Sequence, residues 1–228
     1  MSVTLTWHGH ACWTVESDDT TLLIDPFLSD NPLADVGPDD VDPDYILISH
    51  GHFDHVGDAV EIAKRTGATI ISTFEVVNYC QEQGAESGHG MNIGGGYNFP
   101  FGRVQLTIAH HTSMLPDGSY GGDPAGFLIT TGGATIYDAA DTALFSDMKL
   151  YGDMNEIDVA LLPIGDNFTM GPRDALQAVK FLRPKVVIPM HYDTFDLIAQ
   201  DVDAWAGQVE GATESNVVVL RSGESYTL

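Results

Sequence analysis

The sequence predicts an α/β domain over residues 1–228 in which two packed mixed β-sheets carry helices on their outer faces. Three observations predict it: strand-like runs outnumber helical ones, β-rich segments open both halves of the chain, and helical stretches alternate with short buried apolar runs. Two sheets fit this pattern better than a single parallel one. A chain of 228 residues with 43% hydrophobic content has the material for a large core.

Residues 3–7, 12–16 and 21–24 read as short strands, the last two joined by a hairpin turn at Asp18-Asp19. An acidic loop over 30–44, punctuated by Pro32, Pro38 and Pro43, leads into the apolar run 45–48, which reads as a buried strand. Helical periodicity over 59–66 stops at Gly67, and a strand at 69–72 with a helix near 75–83 completes a βαβα unit. The glycine-rich stretch 86–100 is expected to be an irregular loop over one end of the sheets, with His89 in solvent. No phosphate-cradling glycine motif occurs, which removes the usual nucleotide-binding classes. Strands follow at 104–108, 127–131 and 135–137, the last two turned by Gly132-Gly133. A helix over 145–151, a strand at 159–163, a helix at 172–182 opened by Pro172 and a strand at 186–189 come next. Helical segments between 194 and 209 and strands at 217–220 and 225–228 close the chain, and no internal repeat is visible in the sequence.

Charge narrows the partners. The chain has 33 acidic and 9 basic residues, a formal net charge of −24, and only four lysines: Lys64, Lys149, Lys180 and Lys185. Nucleic acids and anionic membranes find no basic patch against which to release counterions, so neither is an expected partner; a small-molecule substrate is, and self-association stays open. Acids spread evenly along the chain fit adaptation to high salt, where a Debye length of roughly 3 Å removes self-repulsion. Cys12 and Cys80 have no C-x-x-C spacing, so neither a disulfide framework nor a thiolate zinc site is indicated. The opening MSVTLTWHGH lacks the basic and apolar regions of a secretion signal and no apolar run spans a bilayer, which leads to the expectation of a cytoplasmic protein.

Chemistry concentrates directly after the 45–48 strand. His50-Gly51-His52-Phe53-Asp54-His55 places three imidazoles and a carboxylate within six residues, where the chain leaves a sheet and enters a helix. Zinc takes nitrogen ligands at about 2.0 to 2.1 Å and in catalytic sites keeps one position open for water. His50 and His52 share one parity and can bind one metal; Asp54 and His55 can bind a second.

The string resembles the H-x-H-x-D-H signature of the metallo-β-lactamase superfamily, whose fold is an αβ/βα sandwich with a metal site at the edge between two sheets. Residues 45–59 (YILISHGHFDHVGDA), 142–150 (TALFSDMKL), 162–172 (LPIGDNFTMGP) and 189–195 (PMHYDTF) are similar to a family of metal-dependent hydrolases of bacteria and archaea related to the ascorbate-phosphate lactonase branch. The likeness runs nearly end to end. It implies two divalent metals, zinc first with manganese or iron as alternatives, held by His50, His52, His111, Asp54, His55, Asp141 and His191. Asp141 matches the residue that bridges both metals, and His191 the last ligand of the second. In the pair His110-His111, adjacent residues at a strand end point to opposite sides, so one ligates: His111 is preferred and His110 is the alternative.

The implied reaction is hydrolysis of a small-molecule ester, lactone, amide or phosphodiester by a hydroxide that the two metals share, its pKa brought down to about 7. Asp54 would orient the nucleophile, with His10 or a metal-bound water as proton donor. His8 and His10 share parity, and His10 is the better candidate for the site; its alternative is a buried histidine bonded to backbone. Asp25 is expected either behind a ligating imidazole as acceptor or as a turn former before Pro26. Asn167 is expected to line the substrate pocket, donating to a developing oxyanion or capping its own loop. One departure stands out: the family pattern His-Ala-Gly-Asp-Thr is Asp138-Ala139-Ala140-Asp141-Thr142 here. Asp138 is either an added carboxylate that orients a ligand or a tolerated change. Two rivals remain: a diiron oxidoreductase on the same fold, which prefers a carboxylate in place of His52 and needs a flavin partner, and a metal-binding protein without turnover.

Overall fold

The computed structural model describes residues 2–228, arranged as helices, sheet, sheet and helices. The first sheet contains β1 (Val3–Trp7), β2 (Trp13–Ser17), β3 (Thr20–Ile24), β4 (Tyr45–Leu47), β5 (Thr69–Thr73), β6 (Gly88–Met91) and the last strand of the chain, β14 (Ser225–Thr227), which joins the edge beside β1. The second contains β7 (Gly96–Phe99), β8 (Gly102–Ile108), β9 (Ala125–Thr131), β10 (Ala134–Asp138), β11 (Val159–Pro163), β12 (Val186–Met190) and β13 (Asn216–Val217), in spatial order β13-β12-β11-β10-β9-β8-β7. Each sheet starts antiparallel, through β3 in one and β10 in the other, and continues parallel. The two halves therefore share a plan that the sequence does not display as a repeat.

Period-two side-chain alternation decides which core each residue enters. On β3 and at the end of β4, Leu22, Ile24 and Leu47 point between the sheets, while Leu23, Ile46 and Ile48 point outward. The outward set packs on Val56 of α1 (Phe53–Val56), Ala59, Ile62 and Ala63 of α2 (Ala59–Thr66) and Val76, Val77 and Cys80 of α3 (Phe74–Glu82). On the other side, α4 (Met148–Met154), α5 (Pro172–Leu182) and α6 (Val202–Ala212) cover the second sheet through Met148, Ala175, Ala178, Val179, Leu182, Trp205 and Val209. Full burial of each large aliphatic side chain contributes about 1.5–3 kcal/mol, so strands buried on both faces need no charged residue inside them.

Several elements differ from the sequence reading. The stretch 86–100 is not irregular throughout: β6 and β7 lie within it, each at the edge of its sheet. Glycine-rich residues have weak strand preference, and it is hydrogen bonding to β5 and β8 that holds them extended. His89 is accordingly half-buried, its ring 4.3 Å from that of Tyr97 and 5.0 Å from that of Phe99. The expected helix over 145–151 begins at Met148, and the strand expected over 217–220 is reduced to Asn216–Val217. The 194–209 segment holds a short 3-10 turn, Asp196–Ile198, before α6, which starts where Asp201 accepts a hydrogen bond from the Ala204 amide at 2.9 Å. No helix among the described residues is long and apolar enough to cross a membrane.

Candidate metal centre

The site gathers where strands of both sheets end. The turn after β4 supplies His50, His52, Asp54 and His55; the segments after β8, β10 and β12 supply His111, Asp141 and His191. Loops at the carboxyl ends of parallel strands are where open α/β sheets commonly bind ligands. Here the two sheets place such ends side by side.

His50, His52 and His111 form one group, in which each offers a nitrogen within 4.8 Å of the others. The Nε2 of His50 faces the Nδ1 of His52 at 2.9 Å. Two further groups share His55: His50, His55 and Asp141, and His10, Asp54, His55 and His191. Asp141 joins them. Its Oδ2 lies 3.0 Å from the Nε2 of His191, 3.4 Å from that of His55 and 3.5 Å from that of His111. His110, by contrast, is exposed and packs its ring 5.1 Å from that of Phe145, outside all three groups.

The residues behind the cluster are as closely fixed. Asp25 accepts from the Ser49 amide at 2.7 Å, from the Ser49 hydroxyl at 2.6 Å and from the Nδ1 of His55 at 2.7 Å. The Ser49 oxygen also lies 2.9 Å from the Nδ1 of His50. One serine–aspartate pair thus orients an imidazole in each of two groups, with both Nε2 atoms turned toward the cluster. Ser49 escaped the sequence reading because a serine at a strand end carries no signal by itself. His10 makes contacts of 2.9 Å to the Thr194 hydroxyl through Nδ1 and 3.2 Å to Asp54 through Nε2. Its backbone oxygen accepts from the Trp7 indole and the His191 amide, both at 3.0 Å, and so ties the first half to the second. His8 is occupied elsewhere, at 2.8 Å from both Asp35 and Thr14.

Asp138 is buried, and its side-chain hydrogen bond is from the Ala140 amide at 2.9 Å, not from a histidine, although the charge of His55 acts on it. Burial, aided by the nearby Asp25 charge, pushes its carboxyl up to about 8. Ala140 sits at φ +51°, the left-handed region that the glycine of the family pattern enters without strain. His10, Asp25 and His191 also have positive φ, as do Asp166, Asn167 and Asp193 in the flanking loops. Backbone strain of this kind collects at functional sites, and no local residue pattern announces it. Asn167 is exposed at the tip of its loop in this left-handed conformation, as a turn residue would be.

The donor set fits a metal. The Nε2 atoms of His55 and His191 approach the Asp141 Oδ2 without forming an aligned hydrogen bond, and the Nδ1 of His191 and the Oδ1 of Asp141 are likewise buried and unbonded, an arrangement that costs free energy unless a cation fills it. Burial lowers the pKa of His50, His52 and His111, which favours the neutral imidazole a metal requires. Burial opposes charge on His55 and Asp141 as well, but Asp141 and Asp25 hold His55 well above its usual value, and His191 and His55 hold Asp141 well below its own.

Comparison with known proteins agrees with this geometry. A family model described as the β-lactamase superfamily domain matches residues 4–191. The chain is 54% identical over 226 residues to a UPF0173 metal-dependent hydrolase of Desulforamulus reducens, covering 96% of this chain and 97% of that one. It is 50% identical over 231 residues to a protein of the same description in Heliobacterium modesticaldum, covering 98% and 97%. Among solved structures, Igni18, a metallo hydrolase from the archaeon Ignicoccus hospitalis, superposes with a TM-score of 0.91 at 39% identity, covering 100% of this chain and 99% of that one. The chain therefore belongs to the β-lactamase superfamily and, within it, to the UPF0173 metal-dependent hydrolases.

Proposed function

We infer that the protein hydrolyses a small-molecule ester, lactone, amide or phosphodiester with two divalent metals, zinc first, held by His50, His52 and His111 on one side and Asp54, His55 and His191 on the other, with Asp141 between them. The observation that carries this reading is the position of the Asp141 Oδ2 within 3.5 Å of imidazole nitrogens from His55, His111 and His191, amid buried polar atoms that no protein group satisfies. Bound there, the metals would supply a hydroxide at neutral pH and polarise the electrophilic oxygen.

The chain's own groups do the positioning. Thr194 and Asp54 bracket His10 through its two ring nitrogens, so the imidazole fixes one oxygen of Asp54 and leaves the other to orient a water. Burial, then the neighbouring His191, bring the His10 pKa down to about 4, so at pH 7 the ring is neutral and serves Asp54 as a hydrogen-bond donor. Asn167, exposed on the loop after β11, is the proposed donor to a developing oxyanion.

Elemental analysis of purified protein, coupled to a panel of p-nitrophenyl esters, lactones and bis-p-nitrophenyl phosphate, tests the reading. Two zinc equivalents per chain and turnover abolished by a chelator are expected. Redox-active iron would redirect the assignment to a diiron oxidoreductase, and bound zinc with no turnover of any substrate would leave a metal-binding protein.

A further inference from the structure

Six large apolar side chains stand exposed on the loops that frame the metal centre: Phe53, Met114, Tyr120, Phe168, Phe195 and Leu197, between 36% and 69% exposed. Each loop is fastened to the centre. Phe53 lies between His52 and Asp54 in the chain. Met114 and Tyr120 pair across a short antiparallel bridge, and Ser113 pins that loop to the Gly51 amide at 3.0 Å. The loop of Phe168 is held by a bond from the Met170 amide to the Thr142 oxygen, next to Asp141. The Phe195 ring stands 5.7 Å from that of His10. A cleft of about 210 Å³ opens beside Phe53, walled on one part by Phe27, Phe53 and Pro116 and on the other by Ser29, Asp30 and Asp58. Phe27 in turn packs its ring 5.5 Å from that of His10.

Charge on the same loops is one-sided. Residues 50–57, 110–122, 164–171 and 191–198 contain no lysine or arginine, but they hold Asp117, Asp166, Asp193 and Asp196 in addition to Asp54. A phosphate or carboxylate carried away from the reacting bond would meet only like charge there, while hydrocarbon would find an exposed apolar side chain on each of the four segments. Within the cleft, the carboxylate of Asp58 is already engaged by the amides of Leu28 and Ser29 and the Ser29 hydroxyl.

The geometry points to an uncharged carboxylic ester or lactone with an apolar body as the substrate, its hydrocarbon part lying across Phe53, Phe168 and Leu197 while its carbonyl meets the metal centre. The inference rests on the hydrolytic reading above and names the substrate class for that site. The chemistry balances with water alone. The water oxygen bonds to the carbonyl carbon, the acyl–oxygen bond breaks, and the departing oxygen keeps the electron pair and takes a proton.

Two measurements on the zinc-loaded protein test it. Among p-nitrophenyl esters, kcat/KM should rise at least about tenfold from acetate to octanoate, as partial burial of six methylenes allows. It should fall at least about tenfold when the octanoyl chain ends in a carboxylate, as in the mono-p-nitrophenyl ester of suberic acid. Phe168→Ser and Leu197→Ser should flatten the octanoate-to-acetate ratio, whereas Met154→Ser, an exposed apolar residue on α4, should not. Independently of turnover, calorimetric titration should find 2-decanone, which cannot be hydrolysed, bound at least about tenfold tighter than 9-oxodecanoate. Equal affinities, or a flat chain-length series in a protein that turns over the acetate, would overturn the substrate class. So would an oligomer that Phe168→Asp dissociates with no change in ketone affinity. Turnover of bis-p-nitrophenyl phosphate but of no ester or lactone would overturn the substrate class and leave the hydrolytic reading standing. Failure to hydrolyse any member of the panel would sink the hydrolytic reading, and the ketone titration would still decide whether this mouth prefers apolar, uncharged ligands.

Discussion

In the first sheet one turn after β4 delivers His50, His52, Asp54 and His55 within six residues, whereas the second sheet supplies His111, Asp141 and His191 singly, after three different strands. The sheets share the same order of antiparallel and parallel pairing, so the contrast is not one of architecture. It lies in how ligands are kept in place. The compact half relies on neighbours in sequence and on Asp25, which grips Ser49 and His55 from behind. The dispersed half relies on Asp141, which reaches one histidine of the compact turn and two of its own half. A site assembled from both kinds of support should fail differently when each is removed.

The largest expected effect comes from the dispersed half. Asp141→Ala should abolish both metal equivalents and cost about 10⁴-fold or more in turnover, the scale seen when one member of a cooperating catalytic set is lost. His52→Ala, at the edge of the compact turn, should release one equivalent and retain the other; elemental analysis of the two variants side by side checks this. If both lose the same number of metals, Asp141 does not bridge.

Next in size is the support behind the compact turn. Asp25→Asn should weaken metal affinity about 10- to 100-fold, measured by competition with a chromogenic chelator, because His55 loses its acceptor. Asp138→Asn should change that affinity far less, since its carboxyl bonds the Ala140 amide rather than a histidine. Comparable losses would show that Asp138 orients a ligand after all.

Asp138 should announce itself in stability instead. With its carboxyl raised to about 8, the folded protein keeps a proton that the unfolded chain has already released, so stability falls as pH rises from about 4 through 8. Urea unfolding of the metal-free protein should lose roughly 4 kcal/mol between pH 5 and pH 8.5, at about 1.4 kcal/mol per pH unit up to pH 8, and Asp138→Asn should remove most of that slope. A slope unchanged in the variant would assign it to other groups. The smallest effect belongs to the neighbouring turn: Ala140→Gly relieves the positive φ and should change stability by no more than about 1 kcal/mol, in the stabilising direction, by thermal unfolding.

The compact half was largely legible in the sequence. Three histidines and an aspartate in six residues after an apolar run mark a metal-binding turn without help from the rest of the chain. His111, Asp141 and His191 were reached only through the family likeness, because one histidine or aspartate at a strand end has many ordinary uses. The strands β6 and β7 were missed for a related reason. Their glycines show no strand preference, and only their partners' open hydrogen-bonding edges make them extended.

By itself the sequence determined the alternation of apolar residues that builds two sheets, the strong negative charge, the metal-binding turn and the absence of lysine and arginine from the loops around it. These are properties of composition and of residues a few positions apart, which local geometry reads directly. Tertiary structure alone decided that Asp141 stands among histidines from both halves, that Asp25 and Ser49 fix two imidazoles together, and that Asp138 bonds a backbone amide instead of an imidazole. Distances between residues remote in sequence depend on how the two sheets pack, and no local pattern encodes that packing.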